Sequence, residues 1–226
     1  MSKEPGWEGE VGTRRALESY YRIHAWIYDA TRWLFLFGRS ELLRRLAVQG
    51  EGRVWGRIRE VGCGTGRNLR EMAVLFPRVQ LLGIDLSGAM LERARRNLEG
   101  RLDQVDLCLG SYPGESDEFE WGVDAVVFSY ALSMFNPGWE GALEAAAGEL
   151  GEGGIVAVVD FHDTPWGGFR RWMGVNHVRM EGHLLARLRS DFDPIWEEER
   201  RAFGGLWRYF LFIGRRKALG DGGARG

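Results

Sequence analysis

An α/β fold is predicted: a central, mostly parallel seven-stranded sheet with an antiparallel final hairpin, preceded by an N-terminal helical cap. Three observations lead to it. Strand-like apolar runs alternate with amphipathic helical stretches from residue 57 to residue 161, the pattern of βα units that cover both faces of a sheet. A Gly-rich turn, EVGCGTGRN at residues 60–68, separates the first run from the first helix. Two late runs, 195–203 and 206–213, meet tightly around Gly204 and Gly205, as the strands of a hairpin do.

Residues 1–12 are rich in Gly and Glu and are expected to be loose, while 13–48 reads as helix with breaks near Gly38 and Gly50. Together, residues 1–50 form the expected cap. Tyr20, Tyr21, Trp26, Tyr28, Trp33, Phe35 and Phe37 load it with aromatic side chains, which at helical spacing ordinarily pack into a core. The first strand should end at Val61, although Arg57 and Arg59 suit a doubly buried strand poorly. After the turn, Leu69, Met72, Ala73 and Phe76 line one face of a helix that Pro77 stops. Residues 79–84 form the second strand and close on Asp85; Ser87 then caps a helix with Leu91, Ala94 and Leu98 facing inward. Residues 105–109 and 124–130 supply the third and fourth strands. Trp139, Leu143, Ala146 and Leu150 mark the next helical face, and GEGG at 151–154 turns the chain into a fifth strand, 155–161. The sheet domain is expected over 51–217, with a disordered Gly-rich tail at 218–226.

The composition narrows the function classes. In 226 residues, 30 basic and 32 acidic side chains give a net charge of -2, so no global field gathers nucleic acid. A hydrophobic content of 45% with a mean hydropathy of -0.27 fits a globular domain. Cys63 and Cys108 form no CxxC pair and the first residues hold no apolar signal core, which favours the cytoplasm. The apolar run at 33–37 is far shorter than the ~20 residues a transmembrane helix needs, so any membrane contact is expected to be peripheral.

The turn carries the chemistry. A dinucleotide loop wants a third glycine three positions after its second, and Arg67 stands there instead. The G-x-G-x-G spacing behind the acidic Glu60, with Asp85 at the end of the second strand, resembles the Class I S-adenosylmethionine-dependent methyltransferases. That resemblance implies a Rossmann-like fold with S-adenosyl-L-methionine as cofactor. The methionine end would lie on Glu60, Gly62, Cys63, Gly64, Gly66 and Asn68, the ribose on Asp85, and the adenine near Leu86, Ser111 and Tyr112. Ser129 and Tyr130, at the end of the fourth strand, complete the expected cofactor set. No metal is expected, since His24, His162, His177 and His183 show no HxH or HExxH spacing and methyl transfer needs no Lewis acid.

A narrower resemblance covers most of the chain. HAWIYDATRWLFLFGR (24–39), FSYALSMF (128–135), VVDFHD (158–163) and NHVRMEGHLL (176–185) are similar to the betaine-lipid N-methyltransferases, which trimethylate the amine of diacylglyceryl-homoserine. The resemblance implies a lipid amine substrate at a membrane surface, a 3-amino-3-carboxypropyl transferase of the same pathway as partner, and a peripheral place at the inner face of the cytoplasmic membrane. Removing protons from the amine needs a base, for which Tyr28, Asp160, His162 and Asp29 are the candidates. Tyr20, Tyr28, Trp33 and Tyr130 are candidates for an aromatic box around the growing ammonium. Arg32, Arg39 and Arg179 suit the substrate carboxylate, and His177 joins the expected substrate set. Residues 20–39 are expected to form the acceptor side and to meet the membrane. Another small-molecule N- or O-methyltransferase and a non-catalytic cofactor-binding subunit stay open beside this reading.

Overall fold

The computed structural model describes residues 36–114, 122–175 and 178–217. The chain divides into two compact units, Met1–Phe37 and Gly38–Gly226. The expected cap at 1–35 and the tail at 218–226 lie outside the described residues, as do the candidates Tyr20, Tyr28, Asp29, Arg32, Trp33 and His177. The second unit starts at Gly38, so the last part of the expected cap belongs with the sheet. Its helix α1 (Arg39–Gly50) buries Leu42, Leu43 and Leu46.

Seven strands follow in a single sheet: β1 (Arg57–Val61), β2 (Gln80–Asp85), β3 (Val105–Leu109), β4 (Val123–Ser129), β5 (Leu150–Asp163), β6 (Phe192–Ala202) and β7 (Trp207–Arg216). Their order is β3-β2-β1-β4-β5-β7-β6, parallel from β3 to β5 and antiparallel at β7 and β6. The expected doubly wound sheet with its final hairpin is therefore present. Helices α2 (Arg67–Leu75), α3 (Gly88–Asn97) and α4 (Trp139–Glu149) occupy their expected places. Leu69, Met72, Ala73 and Phe76 are buried, and the Ser87 hydroxyl accepts the Met90 N–H at 3.3 Å as the cap of α3. Two helices stand where no element was expected: α5 (Gly167–Val175) and α6 (His183–Asp191).

Arg59 resolves the anomaly of the first strand. Its side chain, 3% exposed, pairs with Glu149 at 3.1 Å and lies 5.8 Å from the Tyr112 ring centroid, while the Tyr112 hydroxyl donates to Glu149 at 2.6 Å. The cation is buried with its counter-charge brought from the end of α4. Because removing one partner of a buried pair strands the other charge, Arg59→Ala should lose about 3 kcal/mol of stability. Urea denaturation checks this; a change under about 1 kcal/mol would mean that water already solvates Glu149.

Candidate active site

The parallel strands direct their carboxyl ends to one edge of the sheet, and the loop after β1 turns there because its backbone permits it. Gly62 has φ 71, and a Cβ on it would stand 3.0 Å from the Ala131 Cβ in the loop after β4. A side chain at this position would meet both a left-handed backbone and its neighbour, so the two loops can lie this close only with glycine there. The N–H groups of Gly62 and Cys63 both donate to the Ile84 carbonyl, at 2.9 and 3.0 Å, tying the loop to the end of β2. Cys63 serves through its backbone: the thiol is buried, and burial, then Glu60 and Asp85, push its acidity out of reach.

Asp85 is half-buried and holds the cradle together. Its Oδ2 accepts the Gly64 N–H at 2.8 Å and its Oδ1 accepts the Ser87 N–H at 2.9 Å. A carboxylate oxygen has two lone-pair positions, so both oxygens keep acceptor capacity for hydroxyls after these bonds. Leu86, beside it, is 71% exposed and offers an open apolar face at the strand end.

Glu60, at the end of β1, is tied to α2. Asn68 donates to its Oε1 at 2.7 Å, whereas Oε2 is buried without a partner. Burial is the main cause that pushes this carboxyl up to about 8; the Asn68 hydrogen bond and the Arg39 charge oppose the shift, and Asp85 adds to it. Asn68, expected on the cofactor, is thus engaged in orienting Glu60. Arg39, expected on the acceptor, has its charge within electrostatic reach of Glu60 on the cofactor side.

The β4 end adds Ser129, whose buried Oγ has no hydrogen-bond partner, and Tyr130. Tyr130 holds φ 55, a left-handed conformation costly for a bulky residue, fixed by its N–H to the Val159 carbonyl at 2.8 Å. Its ring packs edge-on against Phe161 with centroids 4.7 Å apart. Tyr112, expected near the adenine, is buried with its ring edge-on to Phe128 and its hydroxyl donating to Glu149. The exposed Ser111 before it remains at the edge, its hydroxyl 3.3 Å from the Pro113 carbonyl.

Asp160 is fully buried and accepts the Ser133 N–H at 3.1 Å and the Phe161 N–H at 2.8 Å. Burial raises it to about 6 against those hydrogen bonds. The carboxyl pins the loop after β4 to β5. His162 lies farther along, with Nε2 3.7 Å from Glu199 and a buried Nδ1 that has no partner. Residues 178–182 close over this corner: Arg179 N–H donates to the Ser133 carbonyl at 2.9 Å and Gly182 N–H to the His162 carbonyl at 2.8 Å. The exposed Arg179 is thereby delivered to the strand-end edge, whereas Glu181 and Glu199 reach it through pairings no local pattern announces. Among the described residues, no group of three or more His, Cys, Asp or Glu side chains is placed to hold a metal.

These residues fit a nucleoside-bearing cofactor: two buried, unpartnered acceptors at Glu60 and Ser129, a hydroxyl acceptor at Asp85, and a loop closed by a missing Cβ. Residues 60–156 match the family model described as a methyltransferase domain. Curated relatives include a trans-aconitate 2-methyltransferase of Paracidovorax citrulli, 29% identical over 52% of this chain and 42% of its own length. A ubiquinone/menaquinone biosynthesis C-methyltransferase of Syntrophotalea carbinolica is 29% identical over 59% of this chain and 56% of its own. The chain thus spans about half the length, or less, of the curated relatives it matches. Among solved structures, the N-methyltransferase NodS of Bradyrhizobium japonicum, in complex with S-adenosyl-L-homocysteine, aligns with a TM-score of 0.64 at 17% identity, covering 80% of this chain and 86% of that one. The [4+2]-cyclase SpnF aligns at 0.66 with 18% identity over 79% and 81%.

Proposed function

We propose that this chain, whose fold is that of the Class I methyltransferases and whose implied cofactor is S-adenosylmethionine, transfers methyl groups to the amine of a diacylglyceryl-homoserine lipid. The observation that carries the transfer reaction is the Asp85 carboxylate, hydrogen-bonded to the Gly64 and Ser87 N–H groups and still able to accept hydroxyls. When bound, the cofactor supplies an electrophilic sulfonium methyl. The chain's residues do the rest. Gly62 and Gly64 bring backbone close, Asp85 holds the ribose, and Glu60, neutral near pH 7 without ligand, offers an acceptor to a cationic amine. Displacement at a methyl carbon needs alignment and no covalent intermediate, so positioning dominates.

The lipid amine as acceptor is supported by the likeness of residues 24–39, 128–135, 158–163 and 176–185 to the betaine-lipid N-methyltransferases. Three of these stretches meet in the fold, since Arg179 bonds Ser133 and Gly182 bonds His162. Asp160 is sealed by two backbone donors, which leaves His162, with its unpartnered Nδ1 and the Glu199 carboxylate opposite Nε2, as the described proton acceptor in this reading. A second reading is transfer to a small carboxylate or another oxygen nucleophile; the trans-aconitate relative and the exposed Arg179 favour it. Incubation with labelled S-adenosylmethionine and extracted lipids, resolved by mass, decides between them. Mass increments of one to three methyl groups on an amino lipid are expected; label found only in small acids would replace the lipid with the second reading.

A further inference from the structure

Within the Gly38–Gly226 unit, every exposed large aromatic side chain among the described residues lies on one feature. Trp166 (62% exposed), Trp172 (52%) and Phe203 (57%) belong to the start of α5, to α5 itself and to the β6–β7 turn, and Val175, 75% exposed, extends the set. Trp172 and Phe203 are joined by a continuous chain of rings: Trp172 is 5.7 Å from Phe169, Phe169 stacks on Trp207 at 5.4 Å, and Phe203 lies 5.0 Å from Trp207. Trp207 is fully buried and anchors the cluster, so its outer members stand on a rigid base. The Thr164 hydroxyl donates to the Leu206 carbonyl at 2.6 Å and accepts the Trp166 N–H at 3.2 Å, joining the entry to α5 to the hairpin turn.

The charges around this surface are unequal. Arg170, Arg171 and Arg201 are exposed. Of the acids nearby, Asp163 accepts Arg208 Nε at 2.6 Å and Glu199 lies 3.3 Å from Arg208 Nη1 and 3.7 Å from His162, while Glu181, bridged to Asp163, is exposed. Bulky aromatics with arginines at the rim are the makings of a surface that rests in a headgroup layer, where Trp and Phe enter the acyl boundary and cations meet anionic lipid. The helix is also intrinsically weak. Gly167, Gly168 and Gly174 meet nothing where a Cβ would stand, so packing does not require them, yet each costs helical propensity.

We propose that α5 and the β6–β7 turn form the surface by which this protein docks on an anionic bilayer. The feature adjoins the site, because α5 starts four residues after Asp163 at the end of β5, and Arg208 at the start of β7 pairs with Asp163. Docking here sets the strand-end edge beside the headgroups. The inference rests on the exposed rings and their charge rim, and not on the identity of the methyl acceptor.

The test uses the full chain and vesicles that contain no amine acceptor: phosphatidylcholine alone, or mixed equally with phosphatidylglycerol. Wild type should sediment with the mixed vesicles, and brominated acyl chains should quench its tryptophan fluorescence. Trp172→Ser and Phe203→Ser should each weaken binding by about tenfold. Arg171→Glu should weaken binding to the mixed vesicles only, as should raised salt. Unchanged cofactor affinity in each variant shows that the fold survives. Failure of wild type to sediment, or variants that bind as wild type does, would overturn the proposal. So would a self-associated species in solution that Trp172→Ser dissolves, since the face would then belong to a second copy. Vesicle binding is read here without any methyl acceptor, and methyl incorporation by the wild-type chain into extracted lipids tests the activity separately.

Discussion

Asp85→Ala should weaken S-adenosylmethionine binding by about tenfold to a hundredfold, the equivalent of roughly 1.5 to 3 kcal/mol for losing the acceptor of hydroxyl hydrogen bonds. The expected loss has two sources. One is the direct bond to a ribose, and the other is the release of the Gly64 and Ser87 N–H groups that the carboxylate now holds. Asp85→Asn separates them, because an amide keeps one acceptor but places an N–H₂ against a backbone donor. Titration calorimetry measures both variants, with thermal melts as the control for folding. Wild-type affinity in Asp85→Ala would move the ribose elsewhere along the edge and leave Asp85 as a loop anchor.

Glu60→Gln should remove a pH dependence of stability. Burial holds the Glu60 carboxyl at about 8 in the folded chain, against an ordinary value of 4.5. The raised folded value means that the folded state keeps the proton longer. Its contribution is therefore complete below about pH 4.5, falls as pH rises, and is gone above about 8 to 9. Wild type and Glu60→Gln should match in stability near pH 4.5, and at pH 9 the variant should be more stable by a few kcal/mol. The difference between the two is the quantity to measure, because Asp160, raised to about 6, tilts both proteins in the same sense at lower pH. Urea midpoints at four or five pH values suffice. Parallel curves across that range would show that Glu60 ionises without cost, through water admitted beside Oε2.

The parts of the site that were legible from sequence are those set by backbone geometry. The glycine turn, the acid at the end of β2 and the Ser87 cap are local demands, and each sits where its spacing placed it. The surroundings of other candidates depend on partners far along the chain. Tyr112 has the look of a ring for an adenine, but Glu149 and Arg59 draw it into the core from 37 and 53 residues away. Asn68 and Arg39 face Glu60 for the same kind of reason: a buried carboxyl recruits whatever donors the packing of α2 and α1 brings near. Arg59 reads as a fault in a doubly covered strand until α4 supplies its carboxylate. Helix α5 was harder to read because three glycines in nine residues lower helical propensity and one of its bulky side chains, Trp172, is exposed.

The strand order has a bearing on how the chain is made. β5 lies between β4 and β7, yet β6 is synthesised before β7 and ends up outside it. Until residues 207–216 have left the ribosome, the edge of β5 that will receive them stands open, with Ile155, Val156, Ala157, Val158 and Val159 in sequence along it. An uncovered apolar edge of that kind is a template for pairing with another nascent chain. β6 cannot cover it, because its own ladder is to β7. Chains terminated within β7 should therefore accumulate in aggregates even though the glycine loop, Asp85 and the β3-β2-β1-β4 half of the sheet are complete, and the open edge closes only in the interval when β7 slides into the gap.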